Sequence, residues 1–246
     1  MKKVLSILLC ITLLMVMTAC GSDKAKDKKD VAESKTTESS SETSQNAEDA
    51  SKKATVDDES KTLVVYFSMP ETTDPENMNE DEENSAIVVN GEVLGNTQYA
   101  AYLIQEHTGA EIFRIEPKTP YTTDHEELVD IASEEQEDNA RPEMRANVEN
   151  IDQYDTVFIG YPIWWSDFPQ IIYTFLDEND LSGKKVIPFS THGGSGLAGT
   201  VETLKEQEPD ADIEENALSI SRDDMEGCES EVTDWLKKIG YYGGEK

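Results

Sequence analysis

The stretch Thr156–Trp165, TVFIGYPIWW, is an apolar run that leads straight into a tyrosine and two tryptophans. The run predicts a buried β-strand, and a buried core does not require three large rings at the carboxyl end of that strand. A second apolar run, Lys185–Ser190, leads in the same way into Thr191–Gly196, THGGSG, whose glycines leave backbone N–H groups accessible. Because ligands of open parallel sheets bind outside the strand carboxyl ends, the two loops predict one pocket for a planar aromatic ligand with hydrogen-bonding edges.

Apolar runs and helical patterns alternate from Thr62 onward. The predicted strands are 62–67, 111–115, 156–160, 185–190 and 216–220. The predicted helices are 96–107, a segment opened by a capping box at Thr123 and Glu126, a segment from 169 to about 177, 195–206, and a last helix from Ser221 to Gly240. This alternation predicts one α/β domain, residues 62–246, with a five-stranded parallel sheet covered by helices on both faces.

One segment interrupts the alternation between Phe67 and Gly95. It contains an acidic loop followed by Ile87–Leu94, IVVNGEVL, in which Asn90-Gly91 separates two apolar triplets. Asn-Gly in this setting is a strong signal for a two-residue hairpin turn. The sequence therefore predicts a β-hairpin inserted after the first strand, which either decorates the surface or acts as a lid.

The first 61 residues are predicted to lie outside the folded domain. Residues 1–19 combine two lysines, an apolar run and a small-residue cleavage site, which is typical of a secretory signal peptide. Cys20 follows directly, and this pattern resembles the bacterial lipobox, which implies that Cys20 is acylated; the alternative is a plain secreted protein with an incidental cysteine. Residues 20–61 have few large aliphatic side chains and are predicted to be a disordered tether. The expected location is the extracytoplasmic face of the bacterial cell membrane, with membrane contact through the lipid anchor only.

Composition excludes several classes of function. The formal net charge is −31, so binding to the phosphate backbone of a nucleic acid is excluded. Any bound phosphate must be held by backbone amides and hydroxyls. Removal of Cys10 and acylation of Cys20 would leave Cys228 as the only thiol, and three scattered histidines do not form a metal site. The chain has no P-loop, GxSxG elbow or dinucleotide fingerprint.

The chain resembles the flavodoxin-like proteins, in particular a bacterial branch with YPIWW and xGGSG loops. The resemblance rests on Ser68, Gly95-Asn96-Thr97, Tyr161–Trp165 and Thr191–Gly196, and it covers 62–240. It implies a three-layer sandwich with strand order 2-1-3-4-5 and FMN bound at the switch point of the sheet. By position it implies a phosphate loop of Ser68, Gly95, Asn96 and Thr97; a ring-packing loop of Tyr161, Pro162, Ile163, Trp164 and Trp165; and a loop at the pyrimidine edge of Thr191, His192, Gly193, Gly194, Ser195 and Gly196.

Several alternatives remain open at this point. The family's phosphate loop is a continuous Ser-x-Thr-Gly-x-Thr segment, whereas here Met69–Leu94 divides it and the threonine before the glycine is absent. Gly95 and Asn96 could then serve only to cap a helix, and the exposed aromatic rings could form a protein contact. His192 is either a loop residue bonded to backbone or a proton donor, and no other catalytic residue is assigned.

The resemblance implies an FMN-binding protein that transfers electrons, either as a carrier or as a reductase. Its partner would be a redox protein or a small molecule of the quinone type. The competing hypothesis is a non-redox lipoprotein that has kept the fold, lost FMN and binds another aromatic ligand.

Overall fold

A computed structural model describes residues 61–244 of the chain. The predicted signal peptide and the predicted tether up to residue 60 lie outside the described residues. The strands are β1 (Thr62–Tyr66), β2 (Ala86–Val89), β3 (Glu92–Gly95), β4 (Glu111–Arg114), β5 (Thr156–Pro162), β6 (Lys185–His192), β7 (Asp212–Ile213) and β8 (Leu218–Ser221). The helices are α1 (Glu80–Ser85), α2 (Asn96–Thr108), α3 (His125–Glu137), α4 (Gln170–Glu178), α5 (Thr200–Gln207) and α6 (Cys228–Ile239).

The main sheet is parallel and has the order β4-β1-β5-β6, with β7 and β8 both beside β6. This is the predicted order 2-1-3-4-5, which is confirmed, except that its last position is divided between two short strands. The strand predicted at 216–220 begins only at Leu218. The backbone of Asn216 is engaged elsewhere, because its N–H donates to Glu214 Oε1 (3.0 Å) and its carbonyl accepts from Trp235 Nε1 (2.6 Å).

Both faces of the sheet are buried, which explains why β1 reads as one uninterrupted apolar run. Leu63, Val65 and Phe67 pack on one side with residues of α4 and α5. Val64 and Tyr66 pack on the other side with residues of α2 and α6. Alternate side chains of a strand point to opposite faces, so the domain has the three predicted layers.

Three helices begin later than predicted: α3 at His125, α5 at Thr200 and α6 at Cys228. Before α3 the side chain of Asp124 accepts from the Glu127 N–H (3.0 Å), so the capping box proposed for Thr123 and Glu126 is wrong. Gly196 and Gly199, with φ of 61° and 82°, hold the chain out of a right-handed helix before α5. Before α6 the chain passes through a 3₁₀ helix, Arg222–Gly227.

The predicted hairpin is present as β2 and β3, in a two-stranded sheet of its own. Asn90 and Gly91 have φ of 54° and 85°, the left-handed conformations that a type I′ turn requires. Ile87 packs against the core on the α2 side of the main sheet. The short helix α1 was not predicted from the sequence, although Asn79 and Glu82 form a capping box at its start.

Candidate functional site

A cavity of about 280 Å³ lies at the carboxyl ends of β1, β5 and β6. This is the switch point of the sheet, because β4 and β5 follow β1 on opposite sides of it. Ten predicted site residues lie on the cavity wall: Ser68, Asn96, Thr97, Pro162, Ile163, Trp164, Trp165, Thr191, His192 and Gly193. The structure thus brings four separate segments of the chain to one cavity.

The two halves of the divided loop meet at one end of this cavity. A Cβ atom on Gly95 would lie 2.2 Å from Ser68 Oγ and 3.1 Å from Pro70 Cδ, so only glycine permits this approach. Thr97 Oγ1 lies 2.7 Å from Thr191 Oγ1, which ties the start of α2 to the end of β6. The 26-residue interruption therefore leaves Ser68 and Gly95 as direct neighbours in space. We call this end of the cavity, formed by Ser68, Asn96, Thr97 and their surroundings, the polar end.

Asn96 is the first residue of α2 and is buried. Its Nδ2 donates to the Asn84 carbonyl (2.9 Å), whereas its buried Oδ1 has no partner in the part of the chain that the structure describes. A buried acceptor without a partner is unfavourable by about 1–3 kcal/mol. The first N–H groups of a helix also lack acceptors within the helix and carry a partial positive charge. The polar end therefore offers amide donors for an anion and one acceptor for a hydroxyl group.

Two tryptophans form another part of the cavity wall, which we call the aromatic end. Trp164 packs edge-to-face against Phe67, with ring centroids 5.5 Å apart, and against Tyr121 at 5.6 Å. Trp165 is 54% exposed, and its indole N–H donates to the Val129 carbonyl of α3 (3.1 Å). Trp165 has φ of 48°, an uncommon conformation for a bulky residue. The strained turn thus presents an indole at the rim instead of burying it.

His192 is a neutral hydrogen-bond donor at this site. Its Nδ1 accepts from the Gly194 N–H (3.0 Å), so the proton of the neutral ring is on Nε2. Burial lowers the pKa of His192 below its usual range, and the nearby carboxylates Asp224 and Glu231 act against this shift. A neutral imidazole with a fixed tautomer is better suited to donate a hydrogen bond to the polar edge of an aromatic ligand than to transfer a proton.

Five predicted residues lie outside the cavity wall. Tyr161 belongs to β5 and is fully buried; its hydroxyl lies 2.9 Å from Thr200 Oγ1 and its ring packs on Phe168. Its assignment to the ring-packing loop is therefore corrected to a core position, and burial raises the pKa of its hydroxyl well above the usual range. Gly95 lies against the side chain of Ser68 and does not line the cavity itself. The remaining three, in the loop before α5, are Gly194, Ser195 and Gly196.

Sequence reasoning missed nine wall residues. Met69, Glu71, Asn84 and Ser85 come from the insertion, while the hairpin strands themselves do not line the cavity. His125, Leu128, Val129 and Ala132 come from α3, and Arg222 follows β8. The α3 positions are spaced i, i+3, i+4 and i+7, a helical stripe that the sequence does contain.

Arg222 is a cation beside the second loop. A Cβ atom on Gly193 would lie 3.2 Å from Arg222 Nη1, so the guanidinium lies directly against that glycine. The carboxylate of Asp223 is 3.9 Å from Arg222 Nε, a distance too long for a hydrogen bond. The rim of the cavity next to His192 and Gly193 therefore carries a positive charge in a strongly acidic protein.

Two kinds of feature are absent from residues 61–244. No group of three or more His, Cys, Asp or Glu side chains in this range is placed to hold a metal ion. No helix in the same range is long and apolar enough to cross a membrane.

Comparisons with known proteins give a family match and structural matches. A family model described as flavodoxin matches residues 85–239. A candidate flavoprotein from Bacteroides eggerthii DSM 20697 is 32% identical, with a TM-score of 0.56, over 74% of this chain and 98% of that one. A candidate flavoprotein from Bacteroides uniformis ATCC 8492 is 28% identical, with a TM-score of 0.56, over 72% of this chain and 98% of that one. A comparison with curated proteins finds no match.

Proposed function

Because the chain belongs to the flavodoxin family, we propose that it binds FMN in the cavity at the ends of β1, β5 and β6 and transfers electrons through it. The observation that carries this proposal is the composition of the cavity wall, which combines the polar end at the start of α2 with two tryptophans. Flavodoxin-like sheets place FMN at this switch point.

The residues present fit the three parts of FMN. Ser68, Thr97 and the first amides of α2 would hold the phosphate, since a helix N-terminus favours an anion. Asn96 Oδ1, which has no donor among residues 61–244, would accept from a hydroxyl of the ribityl chain. Trp164 and Trp165 would pack near the ring, and the loop at His192 would meet its polar edge. When bound, FMN supplies the redox chemistry, and the protein sets its orientation and electrostatic surroundings.

The competing hypothesis, a fold that has lost FMN, depended on the divided phosphate loop. The apposition of Ser68 and Gly95 supports FMN binding instead, because the insertion leaves the two halves of the loop in contact. A tryptophan-walled cavity next to a helix N-terminus also suits a ligand with both a flat ring and an anionic group.

A variant that lacks both tryptophans tests whether FMN binds with its ring beside them. Binding of FMN to the domain formed by residues 62–246 should quench the fluorescence of the flavin. The double variant Trp164→Ala, Trp165→Ala should show weaker quenching, and its affinity for FMN should be lower by about tenfold or more. Stacking of one aromatic ring on another flat ring is worth about 1–3 kcal/mol. Fluorescence titration measures both effects.

Trp235 provides the matched control, since it packs in the core on the α2 and α6 side of the sheet. Trp235→Phe should leave the quenching unchanged. Wild-type quenching in the double variant would contradict the placement of the ring, and absence of FMN binding by the wild-type domain would contradict the proposed function itself.

We further propose that the protein is attached to the extracytoplasmic side of the cell membrane through acylated Cys20 and exchanges electrons with a redox protein or a quinone-type molecule. Cys20→Ala should release the protein into the medium or leave it unprocessed, because acylation of this cysteine would provide the anchor. Cell fractionation and mass spectrometry of the N-terminus measure the outcome. Recovery of the variant in the membrane fraction, processed like the wild type, would contradict the anchor.

A further inference from the structure

A carboxylate and an imidazole meet on the wall of the cavity. Glu71 comes from the insertion and its side chain is only 8% exposed, whereas His125 is the first residue of α3 and its side chain is 42% exposed. Glu71 Oε2 lies 2.9 Å from His125 Nδ1. Both residues line the cavity. The pair thus joins the insertion to the start of α3.

Hydrogen bonds connect this pair to the start of α2. The Glu71 N–H donates to Ser85 Oγ (2.9 Å), and the carbonyl of the adjacent Asn84 accepts from Asn96 Nδ2 (2.9 Å). The aromatic end is reached one helical turn further along α3, where the Val129 carbonyl accepts from Trp165. His125 is therefore linked, through Glu71 and the insertion, to the start of α2, and it precedes by one helical turn the residue that contacts Trp165.

The geometry also defines what His125 can donate. An ionised Glu71 accepts from Nδ1–H, and this leaves Nε2–H as the second donor of the imidazolium. Burial raises the pKa of the Glu71 carboxyl above its usual range, and the hydrogen bond and charge of His125 offset only part of this shift. Asp81 and Glu82 act on Glu71 in the opposite direction to His125.

We propose that His125, oriented by Glu71, recognises the phosphate group of the bound flavin by donating from Nε2, and so makes the site selective for the phosphorylated flavin. This inference rests on the proposed FMN binding. A second observation points to a ligand at the polar end: the buried Oδ1 of Asn96, which has no partner within residues 61–244. The proposed contact adds a charge-assisted donor to the hydroxyl and amide groups around Ser68 and Thr97, where Arg114 Nη2 already donates to the Ser68 carbonyl (3.2 Å).

The test compares FMN with riboflavin, which has the same ring and no phosphate. In His125→Gln the dissociation constant for FMN should rise about tenfold, the typical worth of one charge-assisted hydrogen bond, while that for riboflavin changes less than twofold. In His125→Arg, which keeps a cation, most of the preference for FMN should return. Glu126→Gln changes the charge of the neighbouring residue, which does not line the cavity, and should leave both constants unchanged.

The outcomes separate this inference from the proposed function. Equal weakening of FMN and riboflavin in His125→Gln would show that His125 supports the ring, and unchanged constants would show no role; either result overturns the assignment. If the wild-type protein binds FMN no better than riboflavin, phosphate recognition is wrong while flavin binding stands. Thermal unfolding checks that each variant is folded. His125→Asn removes the imidazole in a second way and should have the same effect as His125→Gln.

Discussion

Replacing Gly160 with alanine is expected to lower the free energy of unfolding by about 3 kcal/mol, the upper part of the range for overpacked cores. Gly160 lies in β5, between Tyr66 of β1 and Phe189 of β6. A Cβ atom at this position would lie 2.1 Å from Cζ of Phe189 and 2.3 Å from Cε2 of the same ring. The ring of Phe189 is fully buried and cannot move aside without displacing its neighbours.

A second variant identifies the cause of this loss. In a Phe189→Leu background the cost of Gly160→Ala should fall by more than 1 kcal/mol, because the atoms that collide with the new methyl group are gone. Gly227→Ala is the matched control, since a Cβ atom there meets nothing within 4 Å, and it should change stability by less than about 0.5 kcal/mol. Denaturant unfolding gives the free energy of unfolding of the wild type and of the four variants. A Gly160→Ala protein as stable as the wild type would show that the β5–β6 contact is looser than described.

Local sequence signals predicted the fold well where a single segment decides the structure. The Asn90-Gly91 turn and the apolar run of β1 are of this kind, because a turn type and a doubly buried strand each depend on a few adjacent residues. Helix starts were less predictable. At α5 the start depends on the left-handed conformations of Gly196 and Gly199, which a helix-like sequence pattern does not reveal.

The candidate site was only partly predictable for a different reason. The residues proposed to bind the phosphate and the ring follow strand ends, and sheet topology alone brings such positions together. Tyr161 was misplaced because β5 continues two residues beyond the predicted end, which puts its side chain on the same buried face as Val157 and Ile159. Glu71 and His125 are 54 residues apart and meet only because the insertion folds back onto α3, a contact that no local pattern encodes.

Replacing Gly95 with alanine is expected to weaken FMN binding by about two orders of magnitude. The φ of Gly95 is −65°, so alanine is compatible with the backbone, and the obstacle is the Ser68 hydroxyl 2.2 Å from the new Cβ atom. The substitution would push the end of β1 away from α2 and separate the groups proposed to hold the phosphate. Loss of two charge-assisted hydrogen bonds, at about 1.5 kcal/mol or more each, corresponds to a factor of about 100 in the dissociation constant.

A double-mutant cycle with Ser68→Ala tests this explanation directly. Removing the hydroxyl leaves Pro70 Cδ 3.1 Å and Ser68 Cβ 3.3 Å from the new methyl group, distances that shifts of a few tenths of an ångström can relieve. The double variant should therefore bind FMN more tightly than Gly95→Ala alone and about as well as Ser68→Ala alone. Riboflavin affinity should change much less in all three proteins, because the affected end of the cavity is assigned to the phosphate. If the two substitutions act independently, the contact between Ser68 and Gly95 does not shape the site, and the divided loop does not function as one phosphate-binding element.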